Sequence, residues 1–406
     1  MRAAVFTPYL PYPPDTGGKT RSYHLARALV TRLEVDLYTV FYGEGPALAD
    51  VDAVQEFCRR VVLLHLDKSW HPLAHLQRAL AALPRSVDYF YTADSLQQAS
   101  RHLATGGYDL VIADEICMTP YAELALHLPR LVLRQKVDHM HYQEMAQARP
   151  WGLEKALDSL EAIKLRRYER ARMPLYQAFV ACTEYDAMVI GRDAPNAAPL
   201  VIPNGADLST FVPAGCPKAK YPTLLYVGAM HYYPNADAVS FFFETMYERI
   251  REAVPEVRVQ VVGHAPPPDI QGLARLSGVE VTGSVTDVRP YYEEATVFIV
   301  PLRLGGGTRL KIVEAMAMGI PAVSTTVGAA GLSVHPGEDI LIADVPTSFV
   351  ESVLRLLEDA ELRQRIARNG QRLARHYDWN ELCKPYVELA EGVIRQRRKD
   401  ECASPG

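Results

Sequence analysis

The densest chemical signal in the chain is Gly305-Gly306-Gly307-Thr308-Arg309-Leu310-Lys311, with Glu314 three residues further on. It follows the apolar run Val297 to Val300 and precedes an apolar helical stretch, so the glycines open a strand-to-helix turn. Without Cβ atoms such a turn lets the backbone come close to a ligand, and the amides of Thr308 to Leu310 at a helix N-terminus favour an anion such as a diphosphate. Arg309 adds a forked cation suited to a leaving phosphate, and Lys311 is a weaker candidate for a second charge. Glu314 accepts hydrogen bonds from the vicinal hydroxyls of a ribose, and phosphate beside ribose describes a nucleotide. The plain alternative for Glu314 is an exposed helix carboxylate, but Ala315-Met316-Ala317-Met318 makes its helix strongly apolar and favours a partnered role.

A second glycine pair, Gly17-Gly18, ends the long loop after the first apolar run, Ala3 to Phe6. Gly17-Gly18-Lys19-Thr20 copies the end of a phosphate-binding P-loop. The place of that loop's first glycine is held by Pro13, which has no amide and a fixed φ, so ATPase chemistry is disfavoured. A dinucleotide dehydrogenase is disfavoured too, since the loop lacks GxGxxG. What remains is a helix predicted to start near Lys19 or Thr20, at whose head Gly17 and Gly18 either meet a donor phosphate or relieve a tight turn. Arg134-Gln135-Lys136-Val137-Asp138-His139-Met140-His141 follows another strand-like run. Asp138, His139 and His141 are either substrate contacts or solvated polar residues, and His139-x-His141 alone supports a metal only weakly. Asp114-Glu115 is a fainter candidate of the same kind. The basic segment Lys164 to Arg172 is either a surface for acidic lipid headgroups or a solvated helix face balanced by Glu161 and Glu169, and the second reading is preferred.

The elements needed to position these residues recur along the chain. Short apolar runs at Val35 to Val40, Val61 to Leu64, Leu110 to Ala113, Leu131 to Leu133 and Phe179 to Cys182 alternate with helical stretches. The alternation resumes with Leu224 to Val227, Val257 to Val262, Val279 to Thr282, Val297 to Val300, Pro321 to Ser324 and Ile340 to Ile342. That is an α/β chain with two mostly parallel sheets and a ligand cleft between them, joined by the Pro/Gly/Asn-rich segment around Val201 to Asp207. The expected division is 1–204, 205–375 and a terminal helix and tail over 376–406. With a net charge of −5 there is no whole-molecule attraction for nucleic acid. Six scattered cysteines without CxxC spacing argue against a zinc site or a disulfide framework. The short first run is no secretory signal, and no apolar stretch has membrane-span length, so a cytoplasmic protein, at most peripheral to the inner face of a membrane, is expected.

Pro301 to Thr325 resembles the donor-binding motif of retaining GT-B glycosyltransferases of family four. The likeness extends over the second half through Tyr226-Val227-Gly228-Ala229, Val261-Val262-Gly263-His264 and Val281-Thr282-Gly283-Ser284, which in the family are turns lining the donor cleft. It implies a GT-B fold of two Rossmann-like domains. It further implies hexosyl transfer with retention from a UDP- or GDP-sugar to a saccharide, lipid-linked or small-molecule acceptor, with no cofactor and no metal. Gly17, Gly18, Gly228, Gly263, Gly306, Gly307, Thr308, Arg309, Lys311 and Glu314 fall to the donor, Asp138, His139 and His141 near the transferring sugar. The chain departs from the family twice. Members usually carry two glutamates eight positions apart; Glu314 matches the second, while Gly306 stands at the first. Members also carry an Arg and a Lys shortly after the first of these glycines, and neither occurs in Ala229 to Asn235. Arg309, helped by Lys311, is therefore expected to supply that charge. A nucleotide-sugar epimerase on the same fold and a catalytically silent nucleotide-sugar-binding protein remain as alternatives.

Overall fold

The computed structural model describes residues 1–68, 71, 77–214, 220–305 and 308–403. The chain divides into two compact units, Met1–Pro203 together with the chain from Leu382 onward, and Asn204–Glu381. Each is a Rossmann-like α/β domain.

The first domain carries β1 (Arg2–Thr7), β2 (Glu34–Phe41), β3 (Arg60–His65), β4 (Leu110–Asp114), β5 (Arg130–Arg134), β6 (Ala178–Ala181) and β7 (Ala198–Val201), all paired in parallel in the order β3-β2-β1-β4-β5-β6-β7. The central strands are buried along their whole length, as a parallel sheet covered on both faces requires; every residue of β4 and β5 is buried. The edge strand β7 has no counterpart among the predicted runs. Pro199 lacks a ladder donor and half of its residues are exposed, which an edge tolerates and a sequence pattern hides. Helix Lys384–Ala403 completes this domain. It packs on helix Gly17–Leu29 and on β6 and β7, burying Tyr386, Ala390 and Ile394.

The second domain holds β8 (Thr223–Val227), β9 (Arg258–Val262), β10 (Val279–Val281), β11 (Val297–Val300), β12 (Ala322–Ser324) and β13 (Leu341–Ile342), in the order β10-β9-β8-β11-β12-β13. Both sheets thus reverse direction beside their first strand, at β1/β4 and at β8/β11. These are the topological switch points outside whose carboxyl ends α/β sheets bind ligands.

One local expectation changes, and two groups of candidate residues receive their places. Helix Gly17–Leu29 starts at Gly17 rather than at Lys19 or Thr20, because the Thr16 hydroxyl caps it by accepting from the Lys19 amide. Arg309 sits at the N-cap of helix Leu310–Ala317. Asp138, His139 and His141 ride the first turn of helix Asp138–Ala148. Among the described residues no helix is long and apolar enough to cross a membrane.

Candidate functional site

At the β8/β11 switch point the turn after β8 and the helix after β11 are tied by one side chain. Lys311 reaches across so that its Nζ donates to Asn235 Oδ1 at 2.9 Å and to the Tyr226 hydroxyl at 3.3 Å, 4.5 Å from the centre of the Tyr226 ring. Asn235, in the first turn of helix Tyr233–Thr245, also accepts from Tyr226 Oη and donates to Ala229 O, each at 2.9 Å. Among the described residues every hydrogen-bond partner of Lys311 is neutral. Burial, with Arg309 adding to it and Glu314 opposing it, lowers the lysine to about 7.

The glycines follow from this crowding. A Cβ on Gly228 would lie 2.8 Å from Lys311 Nζ and 2.9 Å from Asn235 Cγ. One on Gly263, at φ +157°, would lie 1.8 Å from Gly228 O. The turns after β8, β9 and β10 are stitched by Gly228 N to Val262 O at 2.9 Å, Met230 N to His264 O at 2.8 Å and Gly263 N to Gly283 O at 3.2 Å. These glycines do more than relieve turns: two of them let main chain and a lysine meet where a side chain would not fit.

Arg309 is half-buried and its Nη2 lies over Gly305, whose φ is +101°. Burial pulls its guanidinium below the ordinary arginine value, against the pull of Tyr232 and Tyr226. Thr308 packs against Gly331, at φ +80°, and its buried hydroxyl has no hydrogen-bond partner among the described residues. Glu314 accepts from the Tyr292 hydroxyl at 2.9 Å, and burial raises its carboxyl above the usual range while Tyr292 and Lys311 oppose the rise. Gly306 and Gly307 lie outside the described residues. His231 and His264 are exposed; their rings meet edge-on at 5.5 Å and His264 Nδ1 is 2.6 Å from Ser284 Oγ.

The first domain shows a different arrangement at its strand ends. Arg134, fully buried at the end of β5, donates to Asp138 Oδ2 and to Glu169 Oε1, both at 2.9 Å. His139 Nδ1 lies 2.5 Å from Glu169 Oε2. Although burial opposes it, Arg134 and His139 hold Glu169 down to about 2. Asp138 and His139 are thus members of a closed ion network, for which the sequence offered no signal beyond the presence of Glu169 a helix away. His141 makes no such pair; it is half-buried, packs edge-on against Tyr142, and is lowered by burial and by Lys136, so its imidazole is neutral at neutral pH.

Gly18 sits where a Cβ would meet the Tyr9 hydroxyl at 2.3 Å and Gln135 Oε1 at 3.2 Å, whereas Gly17 has nothing within 4 Å. Beside them the fainter pair of candidates is the more perturbed one. Asp114, which accepts from Ser22, is raised to about 6 by burial, and Glu115 to about 8 by burial and by Asp138 and Asp114. Glu115 also adopts φ +79°, uncommon for a residue with a side chain. Among the described residues no group of three or more His, Cys, Asp or Glu is placed to hold a metal ion.

Residues 221–359 match the family of glycosyl transferases group 1. The chain is 26% identical over 217 residues to phosphatidyl-myo-inositol mannosyltransferase of Mycobacterium tuberculosis, covering 50% of this chain and 56% of that protein. Over 124 residues it is 30% identical to an uncharacterized glycosyltransferase of Methanocaldococcus jannaschii, 29% and 35% of the two chains. It thus spans about half the length of the first of these curated relatives and about a third of the second. Among solved structures, sucrose-phosphate synthase of Thermosynechococcus elongatus superposes with a TM-score of 0.68 at 19% identity, covering 98% of this chain and all of that one. HepE of Anabaena, in complex with UDP and glucose, does so with 0.66 at 13% identity over 96% and 99%. Those likenesses give the fold, two Rossmann-like domains of the GT-B type, and the matched segment carries the Lys311, Arg309 and Glu314 cluster. Over residues 221–359, within its second domain, the chain is thus similar to the glycosyl transferases group 1.

Proposed function

We propose that the protein transfers a sugar from a nucleoside-diphosphate sugar to an acceptor hydroxyl with retention of configuration, the second domain holding the donor. The observation that carries this reading is Lys311, a half-buried ammonium at a topological switch point whose hydrogen-bond partners are all neutral. A basic group whose hydrogen bonds go to neutral partners, with Glu314 acting on it through space but hydrogen-bonded to Tyr292, is suited at such a place to an anionic ligand. Arg309 and the amides opening helix Leu310–Ala317 add to the same field, and Glu314 lies a turn and a half along the helix from Arg309, in position for a ribose. The UDP seen in the Anabaena HepE structure supports a nucleotide at this kind of fold.

In the reaction the bond from anomeric carbon to phosphate oxygen breaks and the acceptor oxygen bonds to the same face of the sugar. The acceptor proton passes to the departing diphosphate, whose growing charge Arg309 and Lys311 stabilise. No protein nucleophile takes part. In the first domain Asp138 and His139 are engaged by Arg134 and Glu169, and we assign direct sugar or acceptor contact to the neutral imidazole of His141. The acceptor is a saccharide, a lipid-linked saccharide or a small molecule of glycan, glycolipid or natural-product biosynthesis.

Thermal unfolding with UDP, GDP, ADP and the corresponding nucleotide sugars tests the donor site, because a ligand of the native state raises stability by mass action. One nucleotide is expected to stabilise, and His141→Ala is expected to keep that shift while losing turnover. Absence of a shift with every nucleotide would remove the donor assignment, and isomerised donor without acceptor would favour an epimerase.

A further inference from the structure

Helix Leu153–Arg172 segregates its charges. Three of its four acidic residues, Asp158, Glu161 and Glu169, are 3%, 1% and 3% exposed and turn inward, while the fourth, Glu154, is exposed at the helix start and is paired with Arg149. Asp158 meets Arg85 and Arg149, Glu161 takes the amide and hydroxyl of Ser86, and Glu169 takes Arg134 and His139. The pairing of Glu161 and Glu169 with the helix's own arginines, preferred from sequence, is therefore overturned: neither carboxylate is on the face that carries them. On the opposite face Lys155, Arg166, Arg167 and Arg170 line a groove of about 710 Å3 against helix Asp138–Ala148, and no acidic residue lines it. Asp193 pairs with Arg166 and, at 3.7 Å, with Arg170; among the described residues Lys155 and Arg167 have no ion-pair partner.

Apolar side chains accompany this charge. Ile163, in the groove, is 53% exposed, and at the head of the same helix Trp151 and Leu153 are 92% and 71% exposed. Lys155 Nζ lies 4.9 Å from the Trp151 ring centre, so the aromatic and the cationic groups form one patch. A chain of net charge −5 thus presents a local surface of the opposite sign, studded with an exposed Trp, Leu and Ile. Basic residues around interfacial aromatic and aliphatic side chains are what a bilayer rich in anionic phospholipid binds, the cations by headgroup phosphates and the apolar groups by the acyl boundary.

We infer that this face of the first domain, centred on Trp151, Lys155, Ile163 and Arg167, docks the protein on an anionic lipid bilayer. The inference stands apart from the transfer reaction, since it uses none of the residues assigned to the donor or to sugar contact. Flotation of the full chain with vesicles of phosphatidylglycerol and phosphatidylcholine, beside vesicles of phosphatidylcholine alone, tests it. Association with the anionic vesicles only is expected, weakening as salt rises. Arg167→Glu and Trp151→Ser, both at exposed positions and each checked for an unchanged melting temperature, are each expected to weaken it about tenfold or more. Equal partitioning onto both kinds of vesicle, no association with either, or full binding by either folded variant would overturn it.

Discussion

The carboxyl ends of β5 and of β8 and β11 each hold a basic side chain, fully buried in the first case and half-buried in the second, and treat it in opposite ways. In the first domain Arg134 is closed off by two carboxylates of its own chain, and a histidine completes the network. In the second Lys311 is held by an amide oxygen and a phenol. The first arrangement is electrically self-sufficient, so it fixes the helix after β5 and leaves nothing for a ligand. The second positions a charge without cancelling it. The difference separates a structural cation from one suited to bind.

Removing each cation should therefore have opposite consequences. Arg134→Met leaves Asp138 and Glu169 facing each other in the interior, and a loss of about 4 kcal/mol in the first domain is expected by denaturant titration. A loss under 1 kcal/mol would mean that the network is not what holds the helix. Gly263→Ala breaks the scaffold around the second cation: with main chain 1.8 Å from the new Cβ, a cost of about 2 to 3 kcal/mol together with loss of nucleotide binding is expected. Lys311→Met should weaken nucleoside-diphosphate binding at least about tenfold, roughly 1.4 kcal/mol, yet leave the second domain as stable as before or more so, because a desolvated charge is removed. Calorimetry across pH sharpens the point. An anion binds the protonated lysine, so affinity should be higher below the lysine's value of about 7 and fall as pH rises through it, with proton uptake on binding. A pH-independent affinity between 6 and 8 would detach Lys311 from the phosphate.

The predicted strand runs were legible because parallel strands covered on both faces must be apolar throughout, and Val35 to Val40 or Val297 to Val300 announce that without context. β7 was not, since Pro199 and solvent erase the pattern at an edge. The helix Leu310–Ala317 after β11 was also readable, because its run of apolar residues is long and follows the glycines directly. Sequence places Lys311 below Arg309 for a physical reason: it shows neither burial nor Asn235, which joins the lysine from 76 positions away. The acids of helix Leu153–Arg172 misled for the converse reason. Carboxylates ordinarily face water, and only the partners supplied by Arg85, Ser86 and Arg134 make their inward direction affordable.

Because helix Lys384–Ala403 lies in the first domain but follows the second in the chain, the two domains differ in when a ribosome can finish them. The second is contiguous and needs no later segment to complete its contacts. The first must wait, with the seat of Tyr386, Ala390 and Ile394 beside helix Gly17–Leu29 open to solvent, until the whole of the second has been translated. Throughout that interval the apolar flank of the earlier-made domain is bare, which makes it the segment of the nascent polypeptide that a chaperone would hold.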